Sequence, residues 1–157
     1  MIRPYETADE ARVAGIWLAA GRDEYTYLPR FQALDEEGAR RVFRDIIASE
    51  SDVWLEVDGS CIRGFVALQG SCIDRLYVDP AFQRRGVGTA LLRHARERCP
   101  DGLELYTHRQ NRRACRFYEK HGFRAVRYGI SPPPESVPDV EYHWRPGWSE
   151  RTSPDGA

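Results

Sequence analysis

In the segment ARVAGIWLAAG, Ala11 to Gly21, apolar residues recur at the three-to-four spacing of a helix. Thr7 and Glu10 precede it as a capping-box pair and Gly21 is its expected stop, which predicts a helix over about residues 8–20. The aromatic and acidic stretch RDEYTYLPRF follows, and then LDEEGARRVFRDIIAS. There Val42, Phe43, Ile46 and Ile47 make the apolar stripe of a second helix. The periodicity then shortens. VWLEV and CIRGFVAL flank Asp58-Gly59, a two-residue hairpin pattern, and CIDRLYV follows Gln69-Gly70. Three consecutive strands, most simply an antiparallel meander, are expected.

Beyond them, Leu91, Leu92, Ala95 and Cys99 share one side of a helix over about 87–99. GLELYT reads as a strand, RRACRFYEKH as a helix begun by Asn111 and closed by Gly122, FRAVRY as a strand, and DVEYHW as a last strand. Helices, then antiparallel strands, then strand-helix-strand-helix-strand define an α+β, or mixed α/β, domain with helices covering a sheet.

The chain has 157 residues, 41% hydrophobic and 30% charged, with a formal net charge of −1. These values fit one globular domain, read here as 1–147, and give no global attraction to nucleic acid. The tail 148–157 reads as disordered. No apolar run approaches the roughly 18 residues of a membrane span. The acid-containing N-terminus lacks a signal-peptide core, so a cytoplasmic protein with no membrane partner is expected. The four cysteines, Cys61, Cys72, Cys99 and Cys115, form no CxxC pair, which suggests neither a zinc site nor a disulfide framework. No metal is expected.

The most informative segment is FQRRGVGTALL, Phe82 to Leu92. Two arginines and two glycines stand immediately before a helix, where unpaired N–H groups and the helix dipole favour an anion. A dinucleotide fingerprint starting at Gly86 fails because Leu91 occupies its third glycine position. A P-loop fails for want of a lysine. What remains suits a pyrophosphate held by backbone donors and guanidinium groups.

Gln83-Arg84-Arg85-Gly86-Val87-Gly88, after the strand IDRLYVDP, resembles the acyl-CoA-binding motif of the GNAT superfamily of N-acyltransferases. Asn111, Ala114, Phe117-Tyr118 and Gly122-Phe123 resemble the family segment that closes the coenzyme site. The resemblance extends from about Ile2 to Trp144. It implies a mostly antiparallel, splayed sheet of about six to seven strands flanked by about four helices. It further implies acetyl-CoA as acyl donor, pairing of the coenzyme's pantetheine amides with Leu76, Tyr77 and Val78, and pyrophosphate binding by Gln83, Arg84, Arg85, Gly86, Val87, Gly88 and Thr89. The implied activity is N-acetyl transfer to a primary amine by direct attack in a ternary complex. Neither motif places a cysteine as nucleophile.

Several residues carry two readings. Under the resemblance Tyr118 is the general acid, since a phenol of pKa about 10 stays protonated near neutrality; as a helix aromatic beside Phe117 it is core packing. Asn111 is a coenzyme contact, a helix N-cap, or both. Asp74 shares a strand face with Leu76 and Val78 and is a base for the incoming amine or a carboxylate paired with an arginine. Glu24 and Glu104 are its rivals. Glu24 and Tyr25, within the acidic-aromatic stretch, either line an acceptor mouth for a cationic amine or belong to a surface loop. The arginines of HRQNRRACR read as a solvated helix side, with one contact to the coenzyme 3′-phosphate open to them, rather than as a nucleic-acid site. The acceptor is a small-molecule or peptide amine, and the proline-containing loop and last strand offer a surface for a homodimer. A coenzyme-binding sensor without turnover and a protein- or peptide-modifying acetyltransferase are the alternatives.

Overall fold

The meander is present, with one more strand ahead of it: β1 (Ile2–Pro4), β2 (Asp52–Asp58), β3 (Cys61–Gln69) and β4 (Cys72–Val78). The computed structural model of the chain describes residues 1–148; of the tail expected at 148–157, residues 149–157 lie outside the described residues. Its contacts gather into two compact units, Met1–Arg98 and a second that begins at Cys99. In the first unit β1 to β4 pair in sequence order, each antiparallel to the next. Asp58 pairs with Cys61 and Gln69 with Cys72. The two turns are therefore Gly59-Ser60 and Gly70-Ser71, with glycine at φ 60° and 59° in the first position. The hairpin lies one residue later than Asp58-Gly59 because the turn needs its positive φ at the first central residue.

Four helices complete this unit: α1 (Glu10–Glu24), α2 (Pro29–Ala33), α3 (Glu36–Val42) and α4 (Val87–Arg98). Val13, Ile16 and Trp17 of α1 meet Ala39, Phe43 and Ile47 over Val53, Leu55, Phe65 and Ala67. By alternation α4 lies against the other sheet face, where Gly64 admits Val87 and Leu91.

Two expectations are corrected here. Gly21 does not stop the first helix, which runs to Glu24; a Cβ at Gly21 would overlap the Phe31 ring, so glycine there serves close packing of α2. The second helix widens into a π-helical turn over Phe43–Ala48. The wider turn keeps Phe43 and Ile47 in the core but leaves Ile46 at 49% exposure.

The second unit holds β5 (Leu103–His108), α5 (Arg112–Lys120), β6 (Arg124–Ile130) and β7 (Pro138–Trp144). The last strand lies between the other two, antiparallel to both. Leu103, Leu105, Val140, Tyr142 and Trp144 are buried, and Tyr118 of α5 packs against Tyr142 at 6.3 Å between ring centroids. The helix ends as Gly122 requires, at φ 86°. Its N–H donates to the Glu119 carbonyl at 3.1 Å and the Phe123 N–H to the Tyr118 carbonyl at 3.0 Å, with the Tyr118 and Phe123 rings 5.3 Å apart. This is a Schellman closure with its hydrophobic contact. The fold class is mixed α+β, with seven strands and a fifth helix among the described residues, where about six to seven strands and about four helices were expected. Among the described residues no helix is long and apolar enough to cross a membrane.

Candidate active site

The loop between β4 and α4 is clamped at its start. The Asp79 N–H donates to the Arg63 carbonyl at 2.9 Å, and its carboxylate accepts from the Ala81 N–H at 2.9 Å. Arg12 of α1 pairs with that carboxylate at 2.6 Å and also donates to the Ile62 carbonyl at 2.7 Å. A short 3-10 turn, Pro80–Phe82, follows, with Gln83 extended beyond it. Arg84 and Gly86 then adopt positive φ, 63° and 79°, on either side of Arg85.

A positive φ at arginine is uncommon, and alternating signs turn successive N–H groups into one concavity, the geometry of an anion nest. The first α4 bond runs from the Ala90 N–H to the Gly86 carbonyl at 3.0 Å, so the amides of Val87 and Gly88 precede the helical ladder. Thr89 sits in the same first turn. A Cβ at Gly86 would meet nothing within 4 Å, which leaves open space above these amides. Arg84 and Arg85 are exposed, Arg85 stacked on Phe82 at 5.6 Å, while the Val87 side chain is buried and leaves only its amide to the loop. The residues present fit a pyrophosphate.

Leu76, Tyr77 and Val78 run directly into this loop, with one edge of β4 taken by Val66, Phe65 and Gly64. Tyr77 is buried, and burial holds its hydroxyl well above the usual phenol range, with Tyr25 and Glu24 adding to the effect. Its hydroxyl lies 3.5 Å from that of Tyr25. Glu24 closes α1 and Tyr25 caps it; the Tyr25 ring packs on Tyr27 at 6.0 Å and Phe31 at 5.9 Å. Asp74 is tied to Arg75 at 2.7 Å, the arrangement expected of a paired carboxylate.

Asn111 and Tyr118 belong to the second unit. The Asn111 carboxamide oxygen accepts from the Ala114 N–H at 3.2 Å, so the residue caps α5, and it is buried. Tyr118 is buried between Phe117 at 5.2 Å, Phe123 and Tyr142.

On the sheet face opposite α5 lies a polar cluster that periodicity alone does not reveal. Register pairs Glu104 with His143 and Tyr106 with Glu141. His143 Nε2 lies 2.7 Å from the Glu141 carboxylate and 4.0 Å from that of Glu104. His143 Nδ1 lies 3.2 Å from the Arg145 guanidinium, itself donating to the Trp144 carbonyl at 3.0 Å. The Tyr106 hydroxyl hydrogen-bonds Glu141, which, with the His143 contact, holds that carboxyl below the usual carboxylate range. Its one sequence sign is the alternation of Glu104 and Tyr106 with Leu103 and Leu105; Glu141 and His143 join only through the register. Among the described residues no group of three or more His, Cys, Asp or Glu side chains is disposed to hold a metal ion.

Residues 49–125 match the family model for an acetyltransferase (GNAT) domain. The peptidyl-lysine N-acetyltransferase YjaB of Salmonella typhimurium is 37% identical over 78 residues, 49% of this chain and 53% of the relative. The chain thus spans little more than half the length of that curated relative. Among solved structures, apo YjaB from Escherichia coli superposes with a TM-score of 0.77 at 23% identity, covering 91% of this chain and 95% of that one. PaiA N-acetyltransferase from Thermoplasma acidophilum, in complex with coenzyme A, superposes with a TM-score of 0.66 at 18% identity, covering 92% and 98%.

Proposed function

We propose that the protein transfers the acetyl group of acetyl-CoA to a primary amine by direct attack in a ternary complex. The observation that carries this reading is the nest at Arg84–Gly88, a concavity of amides with positive φ at Arg84 and Gly86, flanked by two exposed guanidinium groups. Gln83 to Thr89 hold the pyrophosphate, the main chain of Leu76 to Val78 pairs with the pantetheine arm, and Asn111 adds a polar contact while capping α5. The coenzyme A complex of the structurally similar PaiA supports the choice of ligand.

Acetyl-CoA supplies an activated thioester carbonyl. The neutral amine nitrogen forms a C–N bond to that carbon and loses its extra proton to water, the C–S bond breaks, and Tyr118 gives its phenolic proton to the departing thiolate and regains one from solvent. Glu24 and Tyr25 border the acceptor mouth in the first unit, where acid and aromatic faces favour a cation. Asp74, held by Arg75, is the less suitable base because its charge is already engaged. A lysine side chain in a peptide is the favoured acceptor, because the YjaB relative is a peptidyl-lysine N-acetyltransferase.

Calorimetric titration with acetyl-CoA, ATP and NADH, followed by thiol release with lysine peptides and polyamines, tests the reading. Selective acetyl-CoA binding with amine-dependent release of coenzyme A is expected. Binding without release for any amine would instead identify a coenzyme sensor.

A further inference from the structure

We propose that a cavity at the end of β1, remote from the anion nest, binds a free α-amino acid with an apolar side chain, its carboxylate on Arg98 and its ammonium on Asp52. The proposal goes beyond the acetyl-transfer reading and does not rest on it. Every residue it uses belongs to the first unit. Helix α4 separates the cavity from the nest: Arg98 is the last of its 12 residues, about 18 Å along the axis from its start.

The cavity measures about 360 Å³. It opens where β1 ends: Pro4 is the last residue of that strand, opposite Trp54, and the Tyr5 N–H still donates to the Val53 carbonyl at 2.9 Å before the chain leaves the sheet. Alternation along β2 puts Asp52 and Trp54 on the face that meets α4, while Val53 joins the core on the other face. On α4, His94 and Arg98 lie one turn apart and both hold the Trp54 ring. The His94 ring is 4.4 Å and the Arg98 guanidinium 5.0 Å from its centroid.

Asp52 and Arg98 thus border one cavity with opposite charges, yet neither side chain makes an ion pair or a hydrogen bond with any described residue. Both are exposed, and Arg98 is fixed by its stack on Trp54. The two charges sort ligands. A phosphate or simple carboxylate drawn to Arg98 meets the Asp52 carboxylate, and a simple amine drawn to Asp52 meets the guanidinium. A molecule with both charges on one carbon satisfies both groups. Ser51 offers no rival, because its hydroxyl already accepts from Gln69 at 3.3 Å. Pro4, Tyr5 and Val53 line the rest of the wall and favour an apolar side chain. The volume lies at the small end of ligand cavities, which run from roughly 300 to 1,000 Å³, and suits one amino acid.

The test records indole N–H spectra of the whole chain during titration with L-phenylalanine, L-leucine, hydrocinnamate and phenethylamine, the Trp54 signal being the one that Trp54→Phe removes. Both amino acids are expected to shift that signal saturably. Hydrocinnamate and phenethylamine, each lacking one of the charges, should bind at least about tenfold more weakly. Arg98→Gln and Asp52→Asn should each lower the affinity for L-phenylalanine about tenfold, with Tm nearly unchanged because both side chains are exposed. No shift with either amino acid, equal binding of hydrocinnamate or phenethylamine, or wild-type affinity in either variant overturns the proposal. Acetyl-CoA takes no part in these titrations, so such a failure leaves the transferase reading standing.

Discussion

Two residues bear most of the chemical reading. Gly86 is needed for its backbone: φ is 79° and no atom crowds the missing side chain. Gly86→Asp therefore adds both left-handed strain and a negative charge where phosphate binds, and acetyl-CoA affinity should fall at least 100-fold, about 2.7 kcal/mol, with little change in fold. Calorimetry on the variant checks this, and normal affinity would remove the loop from the coenzyme site. Tyr118 is different because its ring is structural whatever its hydroxyl does. Tyr118→Phe keeps the contacts to Phe123 and Tyr142, so stability should change little while kcat falls about 100-fold at constant acetyl-CoA affinity. A variant with wild-type kcat would make Tyr118 a packing residue.

At the scale of elements, the coenzyme loop depends on how α4 seats on β3. A Cβ at Gly64 would lie 2.8 Å from the Tyr77 carbonyl oxygen, 3.0 Å from Val87 Cγ1 and 3.2 Å from Leu91 Cδ1. The contact with the carbonyl strains the β3–β4 ladder, and the contacts with Val87 and Leu91 push the first turn of α4 outwards. Gly64→Ala should cost about 1–3 kcal/mol and also weaken acetyl-CoA binding, because the displaced turn carries the Val87 and Gly88 amides. Denaturant unfolding and calorimetry together check it; lost stability with unchanged affinity would uncouple the helix seat from the site. Gly64 was legible only as a strand residue, since its neighbours come from β4 and α4. By contrast, the Asn111 cap and the Gly122 closure were legible because both are local. The π-helical turn at Phe43–Ala48, the seating of α2 on Gly21 and the insertion of β7 between β5 and β6 were not, because tertiary packing decides them. Glu141 and His143 escaped notice for the same reason: strand register, not spacing, brings them to Glu104 and Tyr106.

For the molecule as a whole, each unit carries a histidine whose burial penalises its charged form. His94 packs on Trp54 at 4.4 Å between ring centroids, its Nε2 without a partner, and burial lowers its pKa from 6.5. Burial lowers that of His108 in the second unit as well. In the unfolded chain both regain ordinary values near 6.5, so between the two values the unfolded state binds more protons and stability rises with pH. Their contribution is complete above about pH 7 and is lost as pH falls through 6.5 towards the folded values. Asp9, held down chiefly by its hydrogen bond to Arg3, and Glu141, held down chiefly by Tyr106, lose their contributions only below the ordinary carboxylate values of 3.8 and 4.5. Acid should therefore destabilise the protein in two steps, histidines first and carboxylates second. Thermal unfolding from about pH 7.5 to 5.5 should show the first step as a falling Tm. His94→Phe, which keeps an aromatic ring against Trp54 but cannot bind a proton, should shrink that step while leaving the carboxylate step in place. A Tm that is flat over this range, or an undiminished first step in His94→Phe, would mean that His94 takes up its proton within the fold as readily as outside it.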